Sequence, residues 1–240
     1  MGITFNGVHS SVFGLGAKVN RPLLPGNNDN YIDIPGRAGS ILYPGKPKDR
    51  PTPVEFGFMP GSRELFRSKV WEISSWLNTE ERKILIIDDE PGKYYIGKVE
   101  NQVDLEQAFL LGKFSLTFRC EPFAYGAEVA SNFAEDAISI DYPGTYATAP
   151  IFEAEFTAAT DTWRATKGTD YIRIDHDFQV GDRLLVNLQS GLIAINGSRA
   201  MNKLDWQNSH FFNLLSGTNY LSITPTGVCS TTIKYTPVWL

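Results

Sequence analysis

Hydrophobic and polar residues alternate through much of this chain, and that pattern predicts β-strands joined by tight turns. In the first half the alternation runs through residues 31–34, 54–58 and 112–120. A strand places successive side chains on opposite faces, so alternation indicates a sheet with one covered face. Eight prolines between positions 22 and 60 exclude a helix of useful length from the first 60 residues.

One main helix is predicted, over residues 63–77. Ser62 is placed to cap its N-terminus, and Glu64 lies in the first turn, where an acid complements the helix dipole. Apolar side chains recur at spacings of four, three and four residues: Phe66, Val70, Ile73 and Leu77. Trp76 widens this stripe, and Asn78 ends the helix. We expect the stripe to pack on a sheet.

A wholly aliphatic run follows at residues 84–87, and its sequence predicts a buried strand. Residues 88–92, Asp-Asp-Glu-Pro-Gly, have the composition of a turn. Residues 94–99 are then expected to pair back on the first strand as a hairpin.

The second half consists of short strand-like segments with a turn every eight to twelve residues, which is typical of a β-sandwich. The segments are residues 151–156, 171–174, 184–188, 192–195, 220–223 and 232–235. Asn196-Gly197 follows one of them and is a strong hairpin signal, because both residues tolerate positive φ. Residues 127–148 are polar and less patterned. We therefore predict domains at 1–130 and 131–240, with residues 131–148 as a connector or arm.

Composition and charge narrow the function classes. The chain has 240 residues, 22 basic and 27 acidic, and a net charge of −5. Phosphate binding relies on clustered Lys and Arg, and the longest basic run, residues 46–50, is broken by proline and an acid. We expect no sequence-specific nucleic-acid binding, although an acidic protein could line a passage through which DNA slides. No basic start precedes an apolar run, and no apolar stretch is long enough for a membrane span, so synthesis and folding in a cytoplasm are expected.

Few residues suggest catalysis or metal binding. Cys120 and Cys229 are far apart and are expected to be buried, reduced thiols. The three acids at 88–90 could hold Mg²⁺ or Ca²⁺ but also suit a solvated turn. In residues 175–177, Asp-His-Asp, strand alternation would turn the histidine away from both acids. We predict no catalytic residue, no metal site and no cofactor.

The remaining candidates for an active site are weaker still. His9, His176 and His210 lie in unrelated contexts, and no Gly-x-Ser-x-Gly elbow is present, so nothing indicates a hydrolytic triad unless one is assembled in space. Residues 14–16, Gly-Leu-Gly, lack the third glycine and the helix of a dinucleotide site.

Exposed aromatic rings could stack on sugar faces, whereas core packing explains most aromatics. Trp163 and Trp206 are the candidates for glycan stacking, because each lies in a polar local context.

The order of motifs resembles that of siphophage distal tail proteins, the phage tail hub family. The N-terminal motifs are Arg21-Pro22, Ile-Pro-Gly-Arg-Ala-Gly at 34–39, the predicted helix, Tyr-Tyr-Ile-Gly-Lys-Val at 94–99, and Leu-Thr-Phe-Arg-Cys-Glu-Pro-Phe-Ala-Tyr-Gly at 116–126. In the second half the motifs are Gly181-Asp182, Asn196-Gly197, Phe-Phe-Asn-Leu at 211–214 and Gly-Thr-Asn at 217–219. The family often has an acid where this chain has Ala38, which leaves a salt bridge to Arg37 in doubt.

The resemblance implies a mainly β chain with one main α-helix. It implies an N-terminal β-sandwich or α+β domain that forms a hexameric ring, followed by a galectin-like or carbohydrate-binding-module-like C-terminal β-sandwich. It also implies a structural virion protein at the tail tip, with a channel for DNA. The implied partners are other copies of the chain, the tail tube protein, a tail-tip lysin or fibre protein, and a receptor-binding protein or host wall glycan. A carbohydrate-binding protein is the alternative, and a hydrolase that uses His210 is more remote.

Overall fold

The computed structural model describes residues 1–58, 63–101, 111–133 and 135–240. The chain is mainly β, as predicted. It divides into two compact units: Met1–Tyr125 together with Leu240, and Gly126–Trp239. No helix among the described residues is long and apolar enough to cross a membrane.

The first unit is built on an antiparallel sheet. Its strands are Ile3–Phe5 (β1), Val8–His9 (β2), Leu15–Val19 (β3), Asn30–Ile32 (β4), Ile41–Tyr43 (β5), Arg50–Phe58 (β6), Lys83–Ile87 (β7), Lys93–Val99 (β8) and Lys113–Cys120 (β9). The sheet has the order β2-β1-β7-β8-β9-β6-β3, whereas β4 and β5 pair only with each other among the described strands. A 3-10 helix, Ser10–Phe13, lies between β2 and β3, and Ala124–Gly126 (β10) lies at the unit boundary.

The predicted helix is present and is interrupted by a turn at Lys69. It consists of Arg63–Ser68 (α1) and Val70–Leu77 (α2), and Asn78 is the C-cap, as expected. The expected N-cap Ser62 and the side chain of Phe66 lie outside the described part of the chain. On α2 the stripe faces the sheet: Ile73 and Trp76 are buried, and Trp76 meets Phe5 of β1 edge to face.

Two prolines lie within β6, Pro51 and Pro53, although proline cannot donate a hydrogen bond to a sheet. Their neighbour on one side, β3, ends at Val19, which is paired with Val54. The carbonyl of Pro53 still accepts the backbone N–H of Asn20 at 2.9 Å, and Pro51 lies beyond the end of β3, while β9 continues alongside on the other side. These two prolines therefore lie within a strand, near the end of its pairing with β3.

The second unit is a β-sandwich. Its strands are Val129–Asn132 (β11), Ala137–Tyr142 (β12), Ile151–Phe156 (β13), Thr160–Lys167 (β14), Asp170–Phe178 (β15), Arg183–Asn187 (β16), Leu192–Ile195 (β17), Ser198–Arg199 (β18), Gly217–Thr224 (β19), Cys229–Tyr235 (β20) and Val238–Trp239 (β21). A short 3-10 helix, Met201–Lys203, follows β18. One sheet has the order β11-β20-β13-β16-β17-β18 and the other β12-β19-β14-β15.

Side chains from the two sheets fill the space between them. Phe152 of β13 and Trp163 of β14 meet edge to face with ring centroids 5.8 Å apart, and Phe156 stacks on Phe178 at 4.0 Å. The turn predicted at Asn196-Gly197 is present, with φ of 50° and 78° at the two residues. This turn connects β17 to β18, which pair with each other.

The prediction of a connector over residues 131–148 is wrong. Val129–Asn132 pairs with β20, and Ala137–Tyr142 pairs with β19, so the segment supplies one strand to each sheet of the sandwich. In β12 the alternation is Ala-Ile-Ser-Ile-Asp-Tyr, with Ile140 and Tyr142 buried and Asp141 exposed. The polar outward residues made the stretch look unpatterned. The units divide between Tyr125 and Gly126 rather than at residue 130.

Candidate functional site

The acidic turn at residues 88–90 is held by protein side chains. Asp88 accepts a 2.6 Å hydrogen bond from the backbone N–H of Gly2 and lies 3.3 Å from Nε2 of His9. Arg21 pairs with Asp89 at 3.2 Å and with Glu90 at 3.5 Å. These contacts tie the β7–β8 turn to the start of the chain and to the segment after β3.

Glu90 has two further partners on β8. It accepts a 2.6 Å hydrogen bond from the Tyr95 hydroxyl and lies 3.4 Å from Nζ of Lys93. Burial, together with the hydrogen bond to Glu90, raises the pKa of Tyr95. Within the described ranges, no three His, Cys, Asp or Glu residues are grouped so as to hold a metal ion. The geometry of the turn is that of an ion-pair network, which acts to fix the loop.

His9 has contacts that the sequence did not suggest. Its Nδ1 lies 2.6 Å from the Ser11 hydroxyl and its Nε2 lies near Asp88, so serine, histidine and aspartate occur together. Nδ1 also accepts the backbone N–H of Ser11, which makes His9 the N-cap of the 3-10 helix. The same carboxylate binds the N–H of Gly2. We therefore assign the cluster a structural role in joining three segments of the first unit.

The other two histidines lie in the second unit. His176 lies on β15 between the exposed Asp175 and Asp177, is partly buried, and packs edge-on against Phe178. It faces away from both acids, as strand alternation predicted. The Nδ1 of His210 lies 3.1 Å from the carbonyl oxygen of Asn208. Among the described residues, neither an acid nor a serine side chain is hydrogen-bonded to the His210 ring, and the remote hydrolase alternative would need both.

Of the two predicted glycan-stacking residues, Trp163 is wrongly assigned. It is 0% exposed and lies in the core of the sandwich, on an inward position of β14. Its polar sequence neighbours are the outward residues of the same strand, so the polar context reflects alternation rather than exposure. Trp206 differs, because it lies outside any strand and is 76% exposed.

Trp206 belongs to a loop that covers the edge of β15. Two backbone N–H groups of the loop, those of Asp205 and His210, donate to the carbonyls of Arg173 and Tyr171. Asp205 also accepts hydrogen bonds from the side chain of Asn208. The indole thus lies exposed on a polar loop that is hydrogen-bonded to β15, where its apolar face is accessible.

An open groove of about 840 Å³ lies over the outer face of the other sheet of the sandwich. Its lining includes Glu153, Glu155, Arg183, Leu185 and Thr232. Lys234 neutralises Glu153 at 2.7 Å, and Arg183 lies 3.5 Å from Glu155. Phe156 is the aromatic residue of the lining, and its ring is buried in the core against Phe178, so ring stacking is not available in the groove.

Two of the exposed apolar surfaces of the first unit lie on β-strands, and the first is the outer face of its sheet. The sequence predicted that β7 is buried, and this is only half correct. Leu85 and Ile87 are buried on the inner face, whereas Ile84 is 50% exposed and Ile86 is 38% exposed. Ile96 of β8 pairs directly with Ile84 and therefore shares the outer face. We call Ile84, Ile86 and Ile96 the isoleucine patch.

The second apolar surface is the hairpin formed by β4 and β5. Every residue from 31 to 40 is exposed. Tyr31 is 63% exposed and faces Leu42 across the strands, and Tyr43 and Ile32 are 53% and 44% exposed. Backbone bonds at its base, from Asn28 to Lys46 and from Lys48 to Gly26, close the segment on itself. We call residues 26–48 the projecting hairpin.

Both thiols are free and buried, as expected. Burial raises the pKa of Cys120 to about 11, so its thiolate is disfavoured. Residues 14–16, which resemble part of a dinucleotide site, form the end of the 3-10 turn and the start of β3.

Comparison with known proteins gives matches along most of the chain. Residues 8–120 match the phage tail protein RIFT-related domain, and residues 143–239 match the C-terminal domain of the siphovirus-type tail component. The distal tail protein of Bacillus phage SPP1 is 21% identical over 159 residues, or 62% of this chain. That alignment spans 63% of the relative's length, which is less than two thirds.

Two solved structures are similar to this chain to different degrees. The crystal structure of the SPP1 Dit protein, described as a paradigm of the hub adsorption apparatus in phages that infect Gram-positive bacteria, has a TM-score of 0.82. The match covers 100% of this chain and 99% of that one at 19% identity, and it shows a shared fold. A chain of the phage P2 baseplate, in its activated conformation with Ca, has a TM-score of 0.46 at 11% identity.

Proposed function

Because the chain belongs to the siphophage distal tail protein family, we propose that it is a structural virion protein, the distal tail hub. In this proposal the first unit assembles into a hexameric ring that joins the tail tube to the tail-tip apparatus, with a central channel for DNA. The observation that carries the proposal is the fold match to the SPP1 Dit protein over the whole chain, with both family domains in the same order.

The proposed partners follow from this position in the virion. They are other copies of the chain, the tail tube protein on one side, and a tail-tip lysin or fibre protein on the other. A receptor-binding protein is a further proposed partner of the second unit. The protein would be made in the host cytoplasm and act at the tail tip of the virion. A hub needs rigid surfaces rather than turnover, which is why we propose no enzymatic activity.

The distribution of charge along the chain bears on the proposed channel for DNA. Residues 1–125 contain 15 basic and 15 acidic residues, whereas residues 126–240 contain 7 and 12. The whole excess of acid therefore lies in the second half, and the proposed ring unit has no net charge. A neutral ring still offers the phosphates of DNA no long-range attraction, so passage without sticking depends on the absence of a basic stripe.

Solution mass tests the hub proposal. Light scattering at high protein concentration, with negative-stain images of the same sample, should give a particle of six times 26.8 kDa, about 161 kDa, with a central hole. If the chain stays a monomer alone, purified tail tubes should be added before imaging. A monomer that neither assembles nor binds the end of a tail tube would contradict the proposal.

A second candidate function is contact with host wall glycan through the sandwich, and the exposed Trp206 favours it. Binding of the chain to purified wall polysaccharide should then fall at least tenfold in Trp206→Ala, since stacking on an aromatic ring is lost. Tyr220→Ala is the matched control, because Tyr220 is 72% exposed in the same unit. Equal binding by both variants and the parent would remove this candidate.

A further inference from the structure

Two Asn-Gly turns in this chain have almost the same backbone geometry. Asn6-Gly7 connects β1 to β2, and Asn196-Gly197 connects β17 to β18. The φ angles are 48° and 78° in the first turn and 50° and 78° in the second. In both turns the asparagine N–H donates to a backbone carbonyl, at 3.0 Å in the first and 2.8 Å in the second. All four turn residues are exposed, so the backbone constrains the two turns alike.

The asparagine side chains of these turns are held very differently. Both ends of the Asn196 amide are hydrogen-bonded: Nδ2 donates to Asp182 at 2.8 Å, and Oδ1 accepts the backbone N–H of Arg183 at 2.9 Å. Asp182 is itself fixed, because it accepts the backbone N–H of Gln179 at 2.8 Å. Within the described part of the chain, the Asn6 side chain has no hydrogen-bond partner. The Asn6 amide is therefore free to rotate, whereas the Asn196 amide is held in one orientation.

This difference has a chemical consequence, because asparagine followed by glycine can deamidate without an enzyme. The backbone nitrogen of the glycine loses its proton and attacks the side-chain carbon Cγ of the asparagine. The new N–Cγ bond closes a succinimide ring, the bond from Cγ to Nδ2 breaks, and the amide nitrogen takes up a proton and leaves as ammonia. Water then opens the ring at either carbonyl and leaves aspartate or isoaspartate. Glycine favours the attack, since it has no Cβ to hinder the approach.

We propose that Asn6 is a site of spontaneous deamidation in the folded protein and that Asn196 is protected from this reaction. The attack requires the amide to rotate until Cγ faces the nitrogen of the next residue. At Asn196 the rotation breaks the hydrogen bonds to Asp182 and Arg183 together, and two such bonds slow the reaction by about tenfold or more. At Asn6 it breaks none among the described residues. The proposal does not depend on the hub function.

The product changes the first unit in one of two ways. Aspartate at position 6 adds one negative charge to residues 1–125, where 15 basic and 15 acidic residues balance. Isoaspartate instead lengthens the main chain by one carbon, because the former side chain becomes part of the backbone. A two-residue loop fixes the register of its hairpin, so the pairing of Phe5 with Val8 is disturbed. Phe5 is buried against Phe118, and the disturbance therefore reaches the core.

Peptide mapping by mass spectrometry tests the proposal in the full-length chain. The folded protein is held at mildly alkaline pH, and the conversion of each asparagine amide to an acid is followed over time. We expect Asn6 to convert faster than Asn196 by about tenfold or more. Methylation by protein isoaspartate methyltransferase should label the same N-terminal peptide. The chain unfolded in guanidinium chloride is the internal control, because glycine follows both asparagines and their rates should be similar there.

The variant Asp182→Ala tests the protection of Asn196. It removes the acceptor of the Nδ2 hydrogen bond, so Asn196 should convert severalfold faster while the rate at Asn6 is unchanged. Asp161→Ala is the matched control, because Asp161 is an exposed acid of the same unit, and it should leave both rates unchanged. If Asp182→Ala does not fold, the folded and unfolded parent chains still decide the question.

Fast conversion at Asn6 with slow conversion at Asn196 in the folded chain supports the proposal. Equal rates at the two sites, or a faster rate at Asn196, would overturn it. Slow conversion at both sites in the folded chain, with fast conversion at both in guanidinium chloride, would overturn it too, since the turn backbone would then protect Asn6. An unchanged Asn196 rate in natively folded Asp182→Ala would show that the carboxylate does not protect Asn196.

Discussion

The indole Nε1 of Trp76 donates a 2.7 Å hydrogen bond to the backbone carbonyl of Phe5, which joins α2 to the sheet of the first unit. The same indole packs on Phe13 and Phe56. We expect Trp76→Phe to lower the free energy of unfolding by about 2 kcal/mol or more, because the buried carbonyl loses its donor. Denaturant unfolding followed by far-UV circular dichroism measures this. Trp71→Phe should change stability by less than about 0.5 kcal/mol, since Trp71 is 84% exposed.

Trp163 and Trp206 should respond in opposite ways to truncation. Trp163→Ala removes a fully buried ring from the sandwich core and should cost about 3–5 kcal/mol of stability. Trp206→Ala should change it by less than about 0.5 kcal/mol. Thermal unfolding of the two variants beside the parent distinguishes them. A large loss in Trp206→Ala would mean that the loop packs its indole against the protein in solution.

Asp49 should make the first unit sensitive to acid. It accepts hydrogen bonds from Arg82 at 2.7 Å and Arg119 at 2.8 Å. Desolvation opposes ionisation, yet the hydrogen bonds from Arg119 and Arg82 hold the pKa of Asp49 below its ordinary value. Because the pKa is lower in the folded state, Asp49 stabilises the folded protein at pH values above its unfolded-state pKa of 3.8. This contribution to the free energy of unfolding is lost as the pH falls through the folded-state pKa.

Asp49→Asn should therefore lose about 1 kcal/mol at pH 7, and little near pH 2. Urea unfolding at the two pH values measures the difference. Glu55→Gln is the control, because Glu55 makes one exposed ion pair, with Lys113 at 3.3 Å. A loss in Asp49→Asn that is the same at both pH values would show that the carboxylate charge is not responsible.

Cys120 should make the same unit sensitive to alkali. Burial raises the pKa of its thiol from 9.0 to about 11. When the pKa of a group is higher in the folded state, its contribution to the free energy of unfolding is fully present below the unfolded-state pKa. That contribution is lost as the pH rises through the folded-state pKa. Unfolding free energy should thus decline between about pH 9 and pH 11, by about 1 kcal/mol at pH 10 from this group. Cys120→Ala should show a shallower decline. Parallel curves for variant and parent would assign the alkaline loss to other groups.

Strand positions were predictable where apolar residues dominate a short segment. Residues 94–99 and 151–156 gave their strands directly, since apolar positions are regularly spaced there. The strand Thr160–Lys167 was missed, because Asp161, Arg164 and Thr166 hide the inward Trp163 and Ala165 in a local average. Alternation, rather than mean polarity, was the signal that could have found this strand and kept Trp163 in the core.

The isoleucine patch shows why a sequence cannot fully predict exposure. The sequence of β7 predicts burial on both faces, whereas Ile84 and Ile86 are 50% and 38% exposed. A run of four aliphatic residues shows that a strand is apolar and does not show which of its faces the rest of the chain covers. The tie between His9, Ser11 and Asp88 was unpredictable for another reason: His9 and Asp88 are 79 residues apart and meet only because β1 pairs with β7.

The exposed stretch of residues 31–40 also has a consequence for handling the protein. Proteases cut where a chain is accessible on both sides of the cleaved bond, and trypsin cleaves after arginine. Arg37 lies in the middle of this stretch, so brief digestion of the free chain should nick it there first. The bonds between Asn28 and Lys46 and between Lys48 and Gly26 would still hold the two fragments at the hairpin base. Nicked protein would therefore behave as one species in its native state and separate into two fragments only after denaturation.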